Sequence, residues 1–253
     1  MNAVPTRQDE LWRYSDLAAV EALWPPAPAR RIALAAGKTH EEVVRIVDGG
    51  IHDVRIELAE GAGLRIVFLL ASERYARVEV EAHLGEGASL DLGGAILGAG
   101  RTMQELVTRI HHDKPSASSR QRVRAVVDER ATGTYLGRIT VERGAQQTDG
   151  AQSARALVLK RTATANLKPE LVIYADDVKC AHGCTVGELD KAALFYLESR
   201  GIPEEAAKAL LTNAFVADAF AGLQDTRARQ ALEAETSVWL ETRRGQPKLD
   251  RAA

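Results

Sequence analysis

Cys180-Ala181-His182-Gly183-Cys184 places two thiols and one imidazole within five residues. In an extended strand, residues two apart point to the same face, so Cys180, His182 and Cys184 form a row with a rise of about 6.6 Å between neighbours. Soft thiolates beside an imidazole suit iron, zinc or a sulfur species. A straight strand holds three such donors too far apart for one ion, so the row serves as a site only if the strand bends or a partner supplies ligands. Gly183 has no side chain and offers a point of bending or close approach. Read from the residues alone, a buried strand with two inert thiols and a hydrogen-bonded imidazole fits the same pattern. Cys180 and Cys184 are the two cysteines of the chain. They are too few for a disulfide framework, and they favour a reducing compartment.

The flanking sequence says what would position this row. Leu171-Val172-Ile173-Tyr174 is a short apolar β-rich run, broken by Asp176 and Asp177. That acidic pair suits a turn better than acid/base chemistry, because neighbours in a strand diverge. A further strand is expected from Val178 to Thr185. From Asp190 the apolar residues Ala193, Leu194, Phe195 and Leu197 recur at helical spacing until Gly201, a stop of the left-handed kind. Pro203, Glu204 and Glu205 open a second helix, with proline expected at its first position. Its stripe runs through Ala207, Leu210, Leu211, Ala214, Phe215, Asp218 and Phe220, and a third helix is expected from about Thr226. These helices are expected to cap a β core, to dock a partner on part of their apolar stripe, or to do both on different faces.

Upstream, from Arg30 to Ala165, the pattern is that of short strands. Val54–Leu58 and Arg77–Leu84 alternate apolar and polar residues, whereas Leu64–Leu70 is apolar apart from Arg65 and reads as a strand buried on both faces. Met103–Ile110 is expected to be another strand. Glu60-Gly61-Ala62, Glu86-Gly87-Ala88 and Arg143-Gly144-Ala145 are imperfect copies of one turn. Such punctuation suits a β-solenoid, and a β-sandwich gives similar runs. Residues 2–24 are expected to be helical, followed by a stiff Pro25-Pro26-Ala27-Pro28 linker.

Other residue groups carry less. His111 and His112 beside Asp113 suggest metal, yet adjacent strand residues face opposite ways, so hydrogen-bonded or solvent-facing histidines are expected. Arg120, Arg122 and Arg124 share a strand face. With no interleaved aromatics and a net charge of −2, a solvated face is expected instead of a nucleic-acid surface. The chain has no Gly-x4-Gly-Lys-Ser/Thr phosphate loop and no Gly-x-Ser-x-Gly elbow. No apolar run approaches the length of a membrane span, and residues 1–14 lack an apolar signal core. A cytoplasmic protein that is not an enzyme and binds neither membrane nor nucleic acid is the expectation.

The stretch around the thiol row closely resembles the SufB/SufD family of iron–sulfur cluster assembly scaffolds, and most of all its SufD branch. The matching residues are Lys168–Leu171, Tyr174–Cys180, His182-Gly183, Thr185–Gly187, Leu189-Asp190, Ala193–Leu197 and Ser199–Ile202. Weaker matches are the Pro-Thr-Arg and Trp-x-Tyr elements of residues 5–17, the spacing of His112, Ser116, Ser118 and Gln121, and Gly137–Val141 with Ala145–Asp149 and Gln152. Ala181 stands where the family carries serine, and Cys184 where it carries alanine. The chain is shorter than a usual member, so fewer coils or a trimmed N-terminal region is expected.

The resemblance implies a mainly β fold with a right-handed parallel β-helix core. It divides the chain into an N-terminal helical segment and linker (1–29), the β-helix (30–187) and a C-terminal helical region (188–253). It implies a SufB-like partner at the β-helix and a SufC-like ATPase at the helices, where Leu194, Phe195, Leu210, Leu211, Phe215 and Phe220 are the candidate contacts. Cys180, His182 and Cys184 become candidate ligands for iron or an iron–sulfur cluster held transiently at a site shared with the partner, with nothing bound tightly to the isolated chain. A SufB-like homodimer, a zinc-binding structural protein and a β-helix enzyme acting on sugars or acyl groups are the alternatives.

Overall fold

The alternating runs become strands that coil upon one another. The computed structural model describes residues 3–244. In chain order its strands are β1 (Arg30–Leu34), β2 (Thr39–Ile46), β3 (Gly50–Leu58), β4 (Gly63–Leu70), β5 (Ala76–Leu84) and β6 (Ser89–Gly98). They continue with β7 (Met103–His112), β8 (Ser118–Val127), β9 (Thr132–Val141), β10 (Thr148–Val158), β11 (Thr164–Ile173) and β12 (Val178–Gly187). Odd-numbered strands form one six-stranded sheet and even-numbered strands another, each in the order of the chain. Every pairing is parallel. One odd and one even strand make one coil of a β-solenoid.

Parallel register stacks equivalent residues into columns. In the even sheet one inward column runs Phe68, Gly94, Val123, Ala154, Cys184, and its neighbour runs Ile66, Leu92, Gln121, Gln152, His182. The odd sheet contributes Ile56, Ala82, Ile110 and Ile139, all fully buried. This apolar interior is the main core.

The coils are closed by a column of left-handed residues. Gly37, Gly61, Gly87, Ser116 and Gln147 have φ between 59° and 65°. Each N–H donates to a carbonyl of the next coil, at 2.6–3.0 Å. Glycine adopts this conformation without strain, which explains the repeated Glu-Gly-Ala, whose alanines Ala62 and Ala88 are fully buried. The third expected copy, Arg143-Gly144-Ala145, is out of step: the equivalent residue is Gln147. Serine and glutamine in the column hide the repeat from a search for glycine.

The two outer faces are covered differently. On the odd sheet lies the N-terminal segment, which is not the helix expected over residues 2–24. Only a 3-10 turn at Glu10–Trp12 and α1 (Leu17–Ala22) are helical among its described residues. The interruption has a cause. The Arg77 guanidinium sits 3.7 Å from the centroid of the Trp12 ring and 2.6 Å from Glu105, and Ser15 donates to Glu105 at 2.8 Å. Binding these groups pulls residues 12–15 flat across β5 and β7. Desolvation raises the Glu105 pKa and the Arg77 charge opposes that rise.

On the even sheet lie α3 (Glu204–Ala217), a 3-10 turn at Asp218–Phe220 and α4 (Thr226–Arg244), preceded in the chain by α2 (Lys191–Ser199). Val67, Leu69, Ala95, Leu97 and Val126 on the sheet pack against Val216, Phe220, Leu223 and Leu232. This is why Leu64–Leu70 is apolar on both faces. The helices begin and end close to expectation: Asp190 caps α2 by accepting from the N–H groups of Ala192 and Ala193, and Gly201 has φ 84°. Pro203 is the residue before α3 instead of its first helical position.

The arginine face is corrected by the same packing. Arg124 is 3% exposed, donating to Asp218 at 2.8 Å and to the Ser153 carbonyl at 2.8 Å. Arg122 donates to Asp91 at 2.7 Å. Only Arg120 of the three is exposed, because α3 and its 3-10 turn cover the face that the spacing left open.

Candidate functional site

β12 pairs with β10 without interruption from Thr148↔Val178 to Leu157↔Gly187. Gly183 therefore marks no bend, and the space beside its Cα is open. The register sets Cys180 above Gly150, His182 above Gln152, Cys184 above Ala154 and Val186 above Ala156. Those β10 residues all point into the core. The row on β12 therefore carries the inward parity of the solenoid, yet His182, Cys184 and Val186 are exposed, because no strand among the described residues stacks on β12. β11 likewise pairs only with β9, and its inward residues Leu167 and Leu171 are half-buried. The last coil is an unfinished end that presents core-facing side chains to the outside.

Cys180 is the most enclosed of the row. It packs against the main core, and its Sγ lies 3.3 Å from the place where a Cβ on Gly150 would stand. Glycine at 150 makes the room for sulfur. Burial raises the Cys180 pKa and Asp149 raises it further, against a backbone hydrogen bond from Gly150. Cys180 thus rests as a thiol, and a metal or a base must displace its proton before it ligates. Cys184 is exposed and unbridged. Among the described residues the three side chains are spread along the strand and do not converge on one point; the trio of donors that does converge lies elsewhere, at Glu81, His83 and His111.

Behind the row the interior turns polar. Gln121 Oε1 accepts from Thr108 Oγ1 at 2.7 Å and from the Tyr135 hydroxyl at 3.0 Å. Gln152 Nε2 donates to the Tyr135 hydroxyl at 3.5 Å. Tyr135 folds over Gly137, where any Cβ would collide with its hydroxyl. This cluster was not foreseen, since residues from four strands meet only once the register is known. His112 also lies inside, fully buried, sharing a hydrogen bond with Ser119 Oγ at 2.8 Å, and burial lowers its pKa to about 4. His111 faces the opposite way, so the two histidines separate as expected. Asp177 serves a turn through its backbone: its N–H donates to Gln146 Oε1 at 2.9 Å and its carbonyl accepts from Gln147 at 2.6 Å.

The candidate partner contacts sort by exposure. Phe195 is 74% exposed and Leu210 is 53% exposed, on helices α2 and α3, which pack against each other. Leu194, Leu211 and Phe215 are half-buried. Phe220 must be removed from this set, since it is fully buried between its 3-10 turn and the even sheet and touches no solvent.

Comparison with known proteins gives this arrangement a context. Residues 49–215 match the family model of the SufBD core domain, described as SUF system FeS cluster assembly. The iron–sulfur cluster assembly protein SufD of Escherichia coli is 34% identical over 146 residues, 58% of this chain and 34% of that protein. A SufBD family protein of Synechocystis is 39% identical over 120 residues, 47% of this chain and 26% of that protein. SufD of Bacillus subtilis is 32% identical over 133 residues, 53% of this chain and 30% of that protein. The chain thus spans about a third or less of the length of these relatives.

Proposed function

Because this chain belongs to the SufBD family of the SUF iron–sulfur cluster assembly system, we propose that it is a non-enzymatic scaffold subunit whose last strand lends ligands to a site completed by another subunit. The observation that carries this reading is the β12 row. Inward parity with outward exposure sets Cys180, His182 and Cys184 at an unpaired sheet edge. One chain holds these donors too far apart for a single ion, and a second edge laid against β12 supplies what is lacking.

In this reading a SufB-like subunit pairs along the last coil, and His182 with Cys180 contributes an imidazole and a thiolate to iron or cluster cargo. A SufC-like ATPase grips α2 and α3 through Phe195, Leu210 and their half-buried neighbours. The setting is cytoplasmic; no helix among the described residues is long and apolar enough to cross a membrane. The test is co-expression with SufB-like and SufC-like subunits, followed by pull-down and assay of iron and sulfide. His182→Ala is expected to keep the complex together and lower its cluster content. A normal cluster content in that variant removes His182 from the mechanism.

Cys184 supports a second reading, in which two copies of this chain pair at the same end and hold the cargo themselves. Its exposed thiol adds a third donor to each row. The mass of the complex formed on mixing with a SufB-like subunit separates the two: a homodimer that ignores the added subunit favours the second.

A further inference from the structure

We propose that Glu81, His83 and His111, on the outer face of the odd sheet, bind one divalent transition metal ion of the zinc class. The parallel register puts His83 of β5 directly beside His111 of β7. Their rings stack with centroids 4.6 Å apart and planes 6° from parallel. Glu81 lies two residues before His83 and so shares its face. One donor atom from each of the three falls within 4.8 Å of the others. Two imidazoles and a carboxylate are a common donor set for zinc, leaving the remaining position to water.

The surroundings favour an ion in two ways. His83 Nδ1 is hydrogen-bonded to Asp113 Oδ2 at 2.8 Å, an arrangement that orients the ring and leaves Nε2 free to ligate. His111 Nε2 is buried with no hydrogen-bond partner, 3.5 Å from Glu81 Oε1. A ring nitrogen shut away from water and left unpaired is a lone pair or proton without a role, and a metal ion gives it one.

The opposing charges can step aside. Arg55 and Arg109 both rest on Glu81 and compete with a cation for it. Each has a second carboxylate: Asp53 lies 2.8 Å from Arg55, and Glu79 lies 2.7 Å from Arg109. Zinc–nitrogen bonds of about 2.1 Å draw tetrahedral ligands to roughly 3.4 Å from one another. The donors must therefore close in from their present separation, and the His83 and Asp113 side chains, 40% and 36% exposed, have room to shift together. This site lies on the sheet opposite the thiol row and shares no residue with it.

The experiment titrates the full chain with zinc alone at neutral pH by calorimetry, in a background where Cys180→Ala, His182→Ala and Cys184→Ala remove the thiol row. One ion per chain is expected, with a rise in melting temperature on adding zinc. His83→Gln is expected to weaken binding at least tenfold and abolish the rise, while the metal-free chain keeps its cooperative urea transition, because the half-buried His83 side chain lies outside the apolar core. His111→Ala is expected to act the same way; if its packing role unfolds it, His83→Gln decides alone. Cobalt in place of zinc is expected to give visible absorption without thiolate charge-transfer bands. Failure of the thiol-free chain to bind a stoichiometric ion, or undiminished binding in His83→Gln, overturns the proposal.

Discussion

Phe68 and Cys184 occupy the same inward column of the even sheet, at its second strand and its last. Phe68 is fully buried and Cys184 is exposed. Their strands have the same parity, so the difference comes from what stacks above them. Inside the solenoid an inward position is core. At the last coil the same position is a chemical surface. A large apolar residue there would expose the patch that a soluble fold avoids, whereas thiols and an imidazole tolerate water and still bind soft ions.

The comparison breaks most decisively at Phe68. Phe68→Ala is expected to cost about 3–5 kcal/mol, the range for deleting a buried phenyl ring, and to lower the urea midpoint accordingly. Next comes acid. His112 sits in a middle coil, where burial lowers its pKa from 6.5 to about 4. Between those values the unfolded chain binds a proton that the folded chain refuses, so stability is full above pH 6.5 and falls as the pH drops toward 4. The loss from this residue is about 3 kcal/mol at its end. Unfolding midpoints measured across that window are expected to fall, and His112→Leu is expected to flatten this part of the slope.

A smaller effect is expected where the helices meet the even sheet. Asp218→Ala leaves the buried Arg124 guanidinium without its carboxylate, and the Ser153 and Val123 carbonyls remain as acceptors. A loss of about 1.5–3 kcal/mol, the range for a hydrogen bond to a charged group, is expected in urea unfolding. Smallest of all, Cys184→Ala is expected to change stability by less than about 0.5 kcal/mol, as for an exposed side chain. A loss at Cys184 comparable to that at Phe68 would show that the last coil is sealed after all.

The thiol row was legible because a period of two survives in any straight strand. The β-solenoid was legible only in part. Equivalent residues are 24 apart at Thr39↔Gly63, 26 at Gly63↔Ser89 and 29 at Ser89↔Ser118, so no fixed repeat exists for the eye to find. What joins distant stretches was not legible. Glu81 and His83 look like ordinary alternation in β5, and His111 lies 28 residues further on; the length of one coil is the signal that would have paired them. The covering of Arg124 by Asp218, 94 residues away, has no local trace.

The lengthening of the coils makes the molecule a taper. In the odd sheet the first strand, β1, has five residues and the last, β11, has ten; in the even sheet β2 has eight and β12 has ten. A head-to-tail stack would lay a wide rim on a narrower one and leave part of the wide rim's amides and carbonyls without partners. Two wide rims laid against each other match in length along their whole course. In the proposed pairing at β12, a second rim of equal width would therefore match where a narrower one would not.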